Sequence, residues 1–164
     1  MNSSKPEFEI IIGLGNPDKK YETTYHNAGH LFIDYLKSQK SEVECQMSKS
    51  DVYMNESGKF VSKAAKKSGI KPENILIAHD DSDILLGDYK LSFDRSSAGH
   101  KGIESIIKSL GTQKFWRLRI GIRPPQKEKE PRQKAEKFVL KKITVSNKKI
   151  LGNVFQKIIA GLFE

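Results

Sequence analysis

The run FEIIIGLGNP, residues 8–17, constrains the fold more than any other stretch. Its β-branched and aromatic residues follow one another without polar alternation, so residues 8–14 read as a strand buried on both faces. Such a strand needs cover from two sides, which points to a layered α/β sheet. Gly13, Gly15 and Pro17 then turn the chain off the strand, and the two glycines permit a backbone to approach a ligand closely. The segment that follows brings Asn16, Tyr21, His26, Asn27 and His30 into one short span.

Similar signals continue along the chain. Ala28, Leu31, Phe32, Tyr35 and Leu36 recur at helical spacing and predict a helix from Thr24 to Ser38. Residues 40–52 are polar and carry no clear pattern. A second helix fits 58–68, with Gly69 as its stop and a turn at Pro72. ILIAHD (75–80) reads as a buried strand with Asp80 at its end. DYKLSF (88–93) alternates like a strand with one wet face. Ile103, Ile106, Ile107 and Leu110 predict a helix closed by Gly111. FWRLRIGI (115–122) is another strand. PPQKEKEPRQK is a loop. Ser146 is placed to cap a last helix with an apolar stripe from Ile150 to Leu162. The order β-α-α-β-β-α-β-α predicts a single three-layer α/β domain over residues 1–164, with a mixed, mostly parallel sheet flanked by helices. Sites in such sheets gather beyond the strand ends, here GLGNP, AHDDSD and GIRPP.

Composition narrows the function. The chain of 164 residues carries a formal charge of +9, which favours a polyanionic partner, and nucleic acid is the commonest one in the cytoplasm. No apolar run is long enough to cross a bilayer, so no membrane role is expected. The N-terminal segment lacks the apolar core of a signal peptide, and the single cysteine, Cys45, fits a reducing compartment. A cytoplasmic protein is expected.

Three chemistries compete for the histidine-rich segment. A dinucleotide loop needs a third glycine at a helix start, but Asp18 holds that position and Pro17 interrupts. A zinc site is suggested by the four-residue spacing of His26 and His30, with His79, Asp80 or His100 as a further ligand. However, Asn27 follows His26 where zinc proteases carry Glu, and His30 reads better as a helix-packing residue. The third possibility is a His–carboxylate pair. If the first and second strands are neighbours, His26 and Asp80 meet at one sheet edge, and the aspartate makes the imidazole a competent general base. Asn16 and Asn55 supply amides for a polarised carbonyl.

These residues and their neighbours resemble bacterial peptidyl-tRNA hydrolase. GLGNP, Tyr21 and HNAG, then MNESG (54–58), AHDDSD (78–83), GH at 99–100 followed by Gly102, and RLRIGI (117–122) occur in the family's order. The resemblance implies hydrolysis of the ester that joins a peptide to the terminal ribose of tRNA, without metal or cofactor, by a monomer. It implies His26 as catalytic base, Asp80 as its supporting carboxylate and Asn16 as the residue positioning substrate and water. Tyr21, Asn27, Met54, Asn55, His100 and Lys101 correspond to substrate contacts, and Lys90 and Arg119 to positions that grip tRNA phosphate. The sequence departs from the family in three places. Lys101 stands where the family has Asn, the segment before residue 54 is shortened, which predicts a sheet with fewer strands, and the C-terminal region matches weakly, although its amphipathic helix is expected. A relative that binds RNA with altered catalysis is the alternative reading.

Overall fold

The computed structural model describes residues 4–39 and 43–164. Five strands form one sheet: β1 (Ile10–Gly13), β2 (Gln46–Lys49), β3 (Ile75–Leu85), β4 (Tyr89–Phe93) and β5 (Trp116–Arg123). Their order is β2-β1-β3-β5-β4. All pairs are parallel except β4 with β5. β1 and β3 are therefore neighbours, with Ile10 opposite Ile75 and Gly13 opposite Ala78.

Helices cover both faces: α1 (Ala28–Ser38), α2 (Ser57–Ser68), α3 (Lys101–Leu110) and α4 (Val145–Leu162). α1 and α4 bury Phe32, Leu36, Phe155 and Ile158 against Ile11, Leu76, Leu118 and Ile120. On the other face Val61, Ile103 and Ile106 meet Ile10, Ile12, Ile75 and Ile77. Alternate residues of β1 and β3 thus serve two cores, which is why both strands read as unbroken apolar runs. Burial of each such side chain contributes about 1.5–3 kcal/mol. Gly69 and Gly111, at φ 64° and 70°, take the left-handed position after α2 and α3.

The structure corrects several sequence expectations. The segment 43–52, which showed no pattern, supplies the edge strand β2, so the shortened region still contributes to the sheet; residues 40–42 lie outside the described residues. β2 is short and partly exposed, which erases the periodicity that marks longer strands. The first helix begins at Ala28 rather than Thr24, after a 3₁₀ turn over Tyr25–Asn27. There the amides of Tyr25 and His26 donate to the carbonyls of Lys141 and Val139, not to a helix. β3 runs on to Leu85, so Asp80 lies within the strand, beside a register shift between Asp81 and Leu85. Thr144, not Ser146, caps α4, with its hydroxyl accepting from the Asn147 amide at 3.2 Å.

The two glycines of the first turn do not face a ligand. A Cβ on Gly13 would lie 2.3 Å from the Gly29 carbonyl oxygen, and one on Gly15 would lie 2.7 Å from the His30 ring. They let α1 lie flush against the end of β1.

Candidate active site

β1 pairs with β3 only as far as Ala78, so the edge of β3 beyond that point is open. Two imidazoles fill the opening. His26 comes from the 3₁₀ turn before α1, and His100 from the start of α3. Between them lies Asp80, 2% exposed. His26 Nδ1 is 2.8 Å from Asp80 Oδ2, and His100 Nε2 is 2.8 Å from Asp80 Oδ1. Burial would push the Asp80 carboxyl up, but the two imidazoles outweigh it and hold the group far below the usual carboxylate range. Burial likewise pulls His26 down, and the charge and hydrogen bond of Asp80 reverse this, leaving its pKa above the ordinary value of 6.5. With the Nδ1–H of His26 donating to Asp80, the lone pair of the ring sits on Nε2.

Asn16, Asn27 and Met54 are held together by hydrogen bonds of their own. The Asn27 amide clasps the backbone of Asn16: its Oδ1 accepts from Asn16 N and its Nδ2 donates to Asn16 O, both at 2.9 Å. Asn16 Oδ1 accepts from the Met54 amide at 2.8 Å, which leaves Nδ2 as the remaining donor of this side chain. Asn27 thereby fixes the backbone of Asn16, and the Met54 amide fixes its side chain. Met54 is buried at the turn opening α2, with Asn55 exposed beside it. Tyr21 ends a separate 3₁₀ turn and is half-buried. The cleft over Asp80 has a volume of about 200 Å³, with His26, Gly99, His100, Lys101, Glu136 and Val139 among its walls. Lys101 stands at the rim, 74% exposed, with Nζ 3.9 Å from Glu104 Oε2.

Not every candidate joins this cluster. His30 is buried under Gly15, with Nε2 3.2 Å from Ser50 Oγ, and burial lowers its pKa to about 4. It is a neutral packing residue, separate from His26. Lys90 and Arg119 are directly opposite each other on β4 and β5. Lys90 is exposed, whereas Arg119 donates through Nε to Asp81 Oδ2 at 2.8 Å and through one terminal nitrogen to Ser92.

The sequence reading gave no role to Arg117. It is 2% exposed and donates to His79 Nε2 at 3.2 Å and to the carbonyls of Arg95 and Ser96. His79 Nδ1–H donates to the Asp80 carbonyl at 2.7 Å, and burial keeps this ring neutral. The available signal was the alternation of RLRIGI, which puts Arg117 and Arg119 on one face of the strand.

The ligating atoms of His26, Asp80 and His100 lie within 4.8 Å of one another and are the metal-compatible cluster found among the described residues. Their chemistry favours hydrogen bonding over a cation. His100 Nδ1 accepts from the Ile103 amide at 3.3 Å, so its proton sits on Nε2, pointing at Asp80. A metal there would have to displace that proton onto a nitrogen already facing a donor.

A buried carboxylate hydrogen-bonded to an imidazole is an arrangement that can serve general-base hydrolysis. The sequence model of peptidyl-tRNA hydrolase matches residues 10–163. The peptidyl-tRNA hydrolase of Aquifex aeolicus is 36% identical over 169 residues, covering 92% of this chain and 86% of its own. That of Sulfurihydrogenibium sp. is 38% identical, covering 90% and 91%. The crystal structure of the enzyme from Acinetobacter baumannii superposes with a TM-score of 0.81 at 28% identity, covering 98% of this chain and 89% of the other. The chain belongs to the peptidyl-tRNA hydrolase family, a family of enzymes.

Proposed function

We propose that this protein hydrolyses the ester between peptide and tRNA with His26 as general base. The observation that carries this is the 2.8 Å contact of His26 Nδ1 with buried Asp80, which turns the basic Nε2 away from the carboxylate. A water held between His26 Nε2 and Asn16 Nδ2 attacks the ester carbonyl. His26 takes the water's proton, and Asp80 stabilises the imidazolium. Asn55, exposed at the start of α2, donates to the developing oxyanion. The proton on His26 then passes to the ribose oxygen as it leaves.

The outer parts of the molecule fit an RNA substrate. Lys90 and the remaining guanidinium nitrogen of Arg119 form a basic pair on the β4–β5 half of the sheet, beyond α3. With the net charge of +9, this pair supplies salt-sensitive contacts to phosphate. Tyr21, Met54 and Lys101 then border the acceptor end and peptide, and Asn27 acts through Asn16. A monomer acting in the cytoplasm is part of this reading. No helix among the described residues is long and apolar enough to cross a membrane.

The test is a release assay on a short acylaminoacyl-tRNA. His26→Ala is expected to lose about 10²–10⁴-fold in turnover while keeping its fold and tRNA binding. Undiminished release would overturn the mechanism.

A further inference from the structure

We propose that His100 is a positioning residue for Asp80: its Nε2–H holds the second carboxylate oxygen, so that Asp80 presents a single oxygen, in one orientation, to His26.

The argument begins with the needs of a buried carboxylate. Asp80 has two oxygens and almost no access to water. An ionised carboxylate in such a place must be hydrogen-bonded on both sides or it is strongly destabilised. His26 satisfies only Oδ2, and the donor at Oδ1 is His100 Nε2, also at 2.8 Å. The two rings lie 5.3 Å apart, centre to centre, so they bracket the carboxylate rather than stack.

His100 is itself held from several sides. It is the N-cap of α3, and its Nδ1 accepts from the Ile103 amide. One ring therefore caps a helix with one nitrogen and fixes the carboxylate with the other. The cap also assigns the tautomer, because a nitrogen that accepts from an amide carries no proton. On its other side the ring meets His79, with ring centres 4.7 Å apart and an angle of 64° between planes. His79 is tied to Arg117 and to the Asp80 carbonyl. The charged and titratable groups around the carboxylate are thus His26 from the turn before α1, His79 and Asp81 on β3, Arg117 behind His79 on β5, and His100 on α3. Lys101 and Glu136 stand at the rim.

The consequence is chemical. The Nε2–H donor on Oδ1 draws off part of the carboxylate's charge. Without it, Asp80 pulls harder on the His26 proton, and more of His26 is protonated and idle near neutral pH. His100 thereby keeps the base available while holding the carboxylate still. This inference rests on the proposed role of His26 as base.

Two substitutions separate the helix cap from the carboxylate contact. His100→Ser keeps a capping oxygen and removes the donor to Asp80. His100→Gln replaces the donor at the position of Nε2 and removes the cap. The measurement is kcat and KM for release of an acylaminoacyl group from tRNA across pH 5–9, alongside thermal unfolding. In His100→Ser the acidic limb of kcat/KM should move up by about one unit, which below the midpoint is about a tenfold loss. In His100→Gln the midpoint should return towards the native one, with a lower Tm. An unmoved or lowered midpoint in His100→Ser would overturn the proposal, and so would a rise in KM alone, which would make His100 a substrate contact. If instead His26→Ala retains turnover, the base reading itself fails, and that variant tells the two failures apart.

Discussion

Asp80 and Asp81 are consecutive residues of β3 with opposite surroundings. Asp80 turns to the imidazoles of His26 and His100, and Asp81 turns to Arg119, with its other oxygen accepting the Asp83 amide. Both are buried, at 2% and 7% exposure. The strand's two-residue period separates them. One carboxylate faces two imidazoles, while the other faces a guanidinium. The difference shows that two buried acids on one strand are set apart by their partners, not by their burial.

The largest test of this contrast is the pair Asp80→Asn and Asp81→Asn. A neutral amide cannot stabilise the His26 imidazolium, so Asp80→Asn should lower turnover by about 10²–10⁴-fold with tRNA binding retained. Asp81→Asn removes the charged partner of Arg119 and should cost about 1–3 kcal/mol of stability, with kcat near the native value. Equal losses of kcat in the two variants would break the comparison. Thermal unfolding and single-turnover release measure the two effects separately.

pH sharpens the same contrast. His26 is raised in the folded state, so its contribution to stability is complete below its unfolded pKa of about 6.5 and is lost as pH rises through the folded value. Activity runs the other way, since the base form appears over that rise. The kcat/KM profile should therefore climb with a midpoint above 6.5. Asp80 is lowered, so its contribution is present above the ordinary carboxylate value and is lost as pH falls through and below that range.

His30 extends the comparison to a second imidazole, four residues from His26. Its folded pKa of about 4 means that the unfolded chain takes up a proton at higher pH than the folded one. Stability should fall as pH drops from about 6.5 to 4, with a slope of at most about 1.4 kcal/mol per unit. His30→Gln should flatten that slope in chemical denaturation at several pH values. An unchanged slope would assign the acid sensitivity to other groups.

The smallest effect is expected at Lys101. Its ammonium is 74% exposed and pairs loosely with Glu104. Lys101→Asn should change KM for acylaminoacyl-tRNA by a few-fold, within about 1 kcal/mol, and leave the pH midpoint in place. A shift of the midpoint would place Lys101 with Asp80 rather than at the rim.

Much of this was legible in the chain. The runs around Ile10–Gly13 and Ile75–Ala78 announced doubly buried strands because each carries side chains for two cores. Gly69 and Gly111 marked helix ends, since the left-handed position favours glycine. The family blocks named His26 and Asp80 as candidates, and the structure brings the two into contact. The β2 segment stayed unread because a short, half-exposed edge strand needs no regular apolar pattern. The start of α1 was misplaced because its preceding turn takes its hydrogen bonds from residues 139–141, far away in sequence.

The sequence by itself determined which segments must be buried and which residue types bring chemistry, because periodicity and residue class are local properties. It could not determine partners. That His100 shares Asp80 with His26, that His30 stays apart from both, and that Arg117 reaches His79 depend on where β1 stops against β3 and how α3 enters the sheet edge. Those contacts join residues 20 to 54 positions apart in the chain, and only the packed tertiary structure brings them within hydrogen-bond range.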